Sequence, residues 1–165
     1  MGTITFGVSS IEMGAIGNDG GPGTVLEALG KTNQNSCNLN QDEPTTTEFR
    51  SEEDDQPIYS TETPGPIALT YQIVDPDLDA MEKLFGGEIT GSAGSRVWNM
   101  PASIISLEQT VKVTPKEGLK LTIPRAKVVA RFTGEFTKAN PFVLEVTATA
   151  LTPEKTGVGA LVWAE

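Results

Sequence analysis

The strongest constraint on the fold lies between residues 104 and 151, where three long runs rich in β-branched residues follow one another. Residues 104–114 and 119–133 flank Pro115-Lys116-Glu117-Gly118, a proline-glycine turn that reads as the bend of a long hairpin. Leu119, Leu121 and Ile123 alternate until Pro124, which has no N–H to give a ladder and so marks a bulge, an edge or a change of sheet. Residues 142–151 alternate strictly. Phe142, Leu144, Val146, Ala148 and Ala150 take one face, and Val143, Glu145, Thr147 and Thr149 take the other. Strands beyond the usual five or six residues suggest a sheet whose edges neighbouring molecules complete.

One segment reads as a helix. Asp75-Pro76-Asp77 supplies a capping carboxylate with a proline placed to open the helix, and Gly86-Gly87 supplies a left-handed stop. Between them Leu78, Met81, Leu84 and Phe85 form an apolar stripe at spacings of three and four. Upstream, residues 67–74 make a strand with Ile67, Leu69, Tyr71 and Ile73 on one face. Short strands are expected at residues 4–8, 24–29, 96–99 and 158–163, and residues 33–40 read as a weak strand or an extended linker. Glycine-rich residues 17–23 form a loop, and residues 1–33 read as a flexible N-terminal segment. Residues 42–66 read as an acidic loop region. The expected fold is a single mainly β domain over residues 1–165, sandwich- or barrel-like, with one short flanking helix and a long β-hairpin.

Composition narrows the function. The chain has no histidine, which removes the commonest general base and metal ligand and every Ser-His or Cys-His triad. Its single cysteine, Cys37, excludes an intramolecular disulfide and a thiolate zinc cluster. The expectation is no catalytic residue, no metal and no cofactor. No run approaches the roughly 18 apolar residues of a membrane span, and the N-terminus lacks a secretory pattern, so folding in the cytoplasm is expected. Net charge is −10, with 15 acids and 3 bases in residues 1–85 against 7 acids and 9 bases in residues 86–165. Such asymmetry suits head-to-tail contact between identical copies, and net acidity argues against tight nucleic-acid binding.

Five places carry enough chemistry to be weighed as sites. The 17–23 loop lacks the Gly-Lys-Ser/Thr ending of a phosphate-binding P-loop and reads as a surface loop. Asn38, Asn40 and Asp42 lack the glycine and bidentate glutamate of a calcium loop. Glu52, Glu53, Asp54 and Asp55 are consecutive, so in an extended chain they point to alternate sides and cannot converge on one ion. Trp98 and Trp163, the only tryptophans, suggest no sugar-stacking cleft between paired carboxylates. Finally, Lys112, Lys116, Lys120, Arg125, Lys127 and Arg131 concentrate positive charge in the long hairpin, with Ala126, Val128 and Ala130 interleaved toward the core. Without stacking aromatics this is read as a solvated face or as a subunit interface meeting the Glu52 to Asp55 cluster of a neighbour.

In order of features, residues 37–151 resemble the tube-forming major tail proteins of bacteriophages, particularly small versions from prophages of Bacteroides-type gut bacteria. The matching order begins with an extended Asp42-Glu43-Pro44-Thr45-Thr46-Thr47-Glu48 and the acids near Glu52. A strand then leads into Asp75-Pro76-Asp77, with the helix ending at Leu84-Phe85-Gly86-Gly87. The hairpin carrying Gly118-Leu119 and Ile123-Pro124-Arg125-Ala126-Lys127 follows, and then a strand closing near Leu151-Thr152-Pro153. The resemblance implies a non-enzymatic virion subunit. Hexameric rings would stack head to tail into a hollow tail tube, contacting other tail proteins, with DNA only as passing cargo and no membrane partner. Two alternatives stay open: a capsid-decorating or head-tail connecting subunit, and a monomeric ligand- or carbohydrate-binding β-sandwich. Under the assembly reading, deleting residues 14–23 is expected to leave a folded monomer that cannot stack.

Overall fold

The computed structural model describes residues 2–165. Strands β1 (Ser10–Gly14), β2 (Asn38–Gln41), β5 (Ile67–Ile73), β8 (Leu107–Thr114), β9 (Lys120–Gly134), β10 (Phe142–Ala150) and β11 (Val162–Ala164) form one seven-stranded antiparallel sheet. Its order is β1-β8-β9-β10-β5-β2, with β11 pairing β9. Strands β3 (Thr45–Phe49) and β4 (Tyr59–Thr63) form a separate hairpin, as do β6 (Glu88–Thr90) and β7 (Val97–Asn99). The single helix among the described residues, α1, is Leu78–Phe85. The molecule is mainly β with one short flanking helix and a long hairpin, as the alternation patterns predict.

One face of the main sheet is the core. The registers stack Met13 on Val111 and Ile123, and Ile73 on Leu144 and Phe132, so the alternating apolar sets of five strands fall together. Ile123, Val111, Leu144, Val146 and Ala148 are wholly buried there. The opposite face carries Lys112, Lys127, Thr147, Thr70 and Glu145, the polar half of the same alternation.

Pro124 sits where the sequence places a break. Gln109 pairs with Ala126 and Val111 with Ile123, so two residues of β9 oppose one of β8. The one is Thr110, which is fully buried. Its hydroxyl donates to the Pro124 carbonyl at 2.8 Å and accepts the Gly23 N–H at 2.8 Å, satisfying two groups that the bulge would otherwise strand. The bulge also restores the face alternation, so Ala126 and Val128 continue the core begun by Leu121 and Ile123.

Helix α1 forms as its caps dictate. Asp77 is the N-cap and its carboxylate accepts the Ala80 N–H at 2.7 Å; Gly86 closes the helix at φ 77°, donating its N–H to the Glu82 carbonyl. Ala80 and Leu84 are buried, and the Phe85 ring stacks on Phe132 with centroids 4.5 Å apart. The helix therefore covers one end of the core face.

The N-terminal third differs from expectation. Residues 4–8 and 24–29 are not strands; each makes one isolated bridge, Phe6 to Glu117 and Glu27 to Met13. The strand lies between them, as β1, whose Ile11 and Met13 are buried against β8. Residues 14–23 are tied to the body by the Gly23–Thr110 bond and by Lys155 to Asp19 at 2.6 Å. A side chain at Gly23 would collide with the Ala15 carbonyl, so that approach requires glycine. Deleting residues 14–23 would uncover the bulge, and so it is not a clean probe of stacking. The 42–66 region, expected as a loop, contains the β3–β4 hairpin; the last strand is shorter than expected and shifted to Val162–Ala164.

Candidate functional site: an outlying hairpin and an open groove

The β3–β4 hairpin prolongs the β2–β5 pair beyond the main sheet. Gln41 pairs with Ile67, Asp42 N–H donates to the Pro66 carbonyl at 3.1 Å, and five cross-strand pairs then run from Thr45–Thr63 to Phe49–Tyr59. All ten strand residues are exposed. One face of this arm holds the pairs Thr45–Thr63, Thr47–Thr61 and Phe49–Tyr59, while the other holds Thr46–Glu62 and Glu48–Ser60. At its end Phe49, Ile58 and Tyr59 are 58%, 64% and 60% exposed. The two rings lie 6.1 Å apart. Glu52, Glu53, Asp54 and Asp55 occupy the turn at the tip, all exposed. Arg50 reaches Glu48 at 3.0 Å and the Asp55 carbonyl at 3.1 Å, which braces the turn.

The end of the core face away from α1 is an open groove of about 970 Å³. Residues from both sheet edges line it, Ile11 of β1 and Leu39 of β2, so the sheet is curled round it. Leu69 and Leu121 form its floor, and Phe6 and Trp163 stand at its sides, both about half exposed. Lys31 and Lys116 are the charged residues of its lining, which contains no Asp or Glu. Cys37 also borders it, and burial pushes its thiol pKa up. Burial, with Cys37 as a second cause, likewise raises the phenol of Tyr71.

The six basic residues of the long hairpin differ in their partners. Arg125 already holds Glu108 through two bonds, at 2.9 and 3.2 Å, and the Thr152 carbonyl at 3.2 Å; the Glu108 bonds raise its pKa. Arg131 holds Glu145 at 2.6 Å. Lys127 lies opposite Glu108 in the register, Lys112 lies between Glu12 and Thr122, and Lys120 donates to the Glu165 carbonyl at 3.2 Å. Lys116 alone of the six borders the groove.

The other candidates resolve locally. In the 17–23 loop, the Gly17, Gly20 and Gly21 N–H groups bond to the Gly21 carbonyl, the Gly17 carbonyl and the Asp19 carboxylate, which leaves no cradle for a phosphate. Among the described residues no group of three or more acidic or cysteine side chains has metal-binding geometry. No helix among them is long and apolar enough to cross a membrane. Trp98 donates its indole N–H to the Gly86 carbonyl at 2.9 Å, and its ring centroid lies 6.0 Å from that of Phe85 and 6.3 Å from that of Phe132. Phe142 and Phe136 continue this aromatic row, their rings 5.2 Å apart and nearly parallel. Phe132 and Phe142 lie diagonally across the β9–β10 hairpin, opposite Leu144 and Gly134, and the sequence carries no local signal of that row.

Compared with protein-family models and with curated proteins, the sequence matches none.

Proposed function

We propose that this chain is a structural assembly subunit of the phage tail-tube kind. Copies join into hexameric rings, and the rings stack head to tail into a hollow tube that contacts other tail proteins and lets DNA pass. The observation that carries the reading is the β3–β4 arm, with ten exposed strand residues and an aromatic end. A two-stranded hairpin alone is marginal in water, and exposed strand edges invite pairing with another chain. A partner that buries this arm explains both features. The order of features shared with tail tube proteins supports the same reading, as does the concentration of acid in the first half of the chain. Acidic surfaces toward a lumen repel phosphate and ease the passage of DNA.

The groove favours one second reading, a monomer that binds an apolar ligand, since 970 Å³ is at the upper end of small-molecule sites. Negative-stain microscopy of the purified protein over a range of concentrations separates the two. Rings and hollow tubes are expected. Rings that never stack would point to a connector or decoration subunit, and a monomer at every concentration would favour the ligand-binding reading.

A further inference from the structure

The arm and the groove match each other in three respects. The first is chemistry. The arm's Thr45–Thr63, Thr47–Thr61 and Phe49–Tyr59 face is uncharged and ends in two rings and Ile58; the groove has an apolar floor with aromatic Phe6 and Trp163 at its sides. The second is charge. Residues 42–66 hold eight acids and one base, whereas the groove's only charged lining residues are Lys31 and Lys116, in a chain of net charge −10. The third is reach. Phe49 lies eight residues past Gln41, the last β2 residue paired with β5, so at about 3.3 Å per residue the tip can reach up to roughly 26 Å beyond the sheet. The arm springs from the same β2 and β5 strands whose Leu39 and Leu69 line the groove, and no residue of the arm lines that groove.

We infer that the β3–β4 arm of one copy docks in the groove of the next, with Phe49, Ile58 and Tyr59 on the apolar floor and the Glu52 to Asp55 turn at Lys31 and Lys116. This rests on the assembly reading and names its interface. The contact is heterologous, since a protruding limb of one copy meets a concave surface of another. Such contacts close into rings or propagate as filaments according to the rotation between copies. The acids at the tip then find the two groove lysines in place of Arg125 and Arg131, which Glu108 and Glu145 already occupy.

Cys37 makes the test direct, because it is the only cysteine and it borders the groove. Ile58→Cys, at an exposed arm position, is assembled and treated with a short bismaleimide. A ladder of covalent multimers on a denaturing gel is expected, absent when Cys37→Ser is added and absent in the unmodified sequence. In parallel, Lys31→Glu with Lys116→Glu should slow assembly by roughly tenfold at low salt, as should replacing the four tip acids by lysine; mixing the two variants should restore it. Robust assembly with no 58-to-37 ladder and no effect of either charge reversal would overturn the docking and leave the assembly reading standing. No assembly and no ladder at any concentration would overturn both. An apolar dye that binds the groove equally in monomer and assembly would show the groove open to small ligands and would also overturn the docking.

Discussion

Two hairpins of this protein have similar backbone pairing and opposite fates. In β9–β10, nine cross-strand pairs run from Phe142–Gly134 to Ala150–Ala126, and Leu144, Val146 and Ala148 on one face are fully buried. In β3–β4, five pairs are made and no strand residue is buried. The ladder is therefore not what stabilises either hairpin. Net gain comes from side chains leaving water, at about 25 cal/mol per Å² of apolar surface, and the arm leaves more than half of the surface of Phe49, Ile58 and Tyr59 in water. The β9–β10 hairpin is complete within one chain, whereas the arm is incomplete until something covers its Thr and aromatic face.

That contrast is broken or sharpened by substitution. Leu144→Ala should cost about 2–5 kcal/mol in urea unfolding, because a fully buried leucine leaves a cavity. Phe49→Ala should change monomer stability by less than about 0.5 kcal/mol while removing assembly. Equal costs at the two positions would mean that the arm is packed within its own chain. At the bulge, Thr110→Val should cost about 1–3 kcal/mol, since the Pro124 carbonyl and the Gly23 N–H both lose their partner; Thr110→Ser should recover most of it. Asp77→Ala, which removes the N-cap of α1, should lower the unfolding free energy by about 1 kcal/mol without touching assembly.

The smallest effect expected is one of pH. The bond to the Arg96 guanidinium holds the Asp79 carboxyl below its usual range, and the bond to Lys155 does the same for Asp19. A folded-state pKa below the unfolded one contributes stability that is present above the unfolded value, near pH 4, and lost as pH falls through the folded value. Thermal melts should thus be flat from these groups between pH 5 and 7, with a small loss below about pH 4 that shrinks in Asp79→Asn. Both carboxylates are exposed, so a large shift above pH 5 would contradict the assignment.

Local chemistry was legible in the sequence wherever a single residue type forces a conformation. Asp77 and Gly86 bound the helix as read, Pro124 falls in a bulge, and the alternation of residues 142–150 places every buried residue of the core face. Strand choice near the N-terminus was not legible. Residues 4–8 hold more β-forming side chains than β1, yet β1 pairs with β8 because Ile11 and Met13 align there with Val113 and Val111. The arm has the sequence of a loop because its many carboxylates obscure the matched Thr–Thr and Phe–Tyr pairs that appear only once the register is known. The groove had no local signal at all: Phe6, Cys37, Leu69, Leu121 and Trp163 meet only when the sheet curls. The parity of the basic residues along β9 was readable, but their partners Glu108 and Glu145 lie on other strands.

The account's central claim is that the arm is the incomplete half of an intermolecular contact. The most direct test is sedimentation velocity of the unmodified protein beside a variant in which residues 45–63 are replaced by a short Gly-Ser turn, both over the same concentration range. The account predicts large, concentration-dependent species for the unmodified chain and a folded, homogeneous monomer for the shortened one. Identical assembly by the two chains would contradict it.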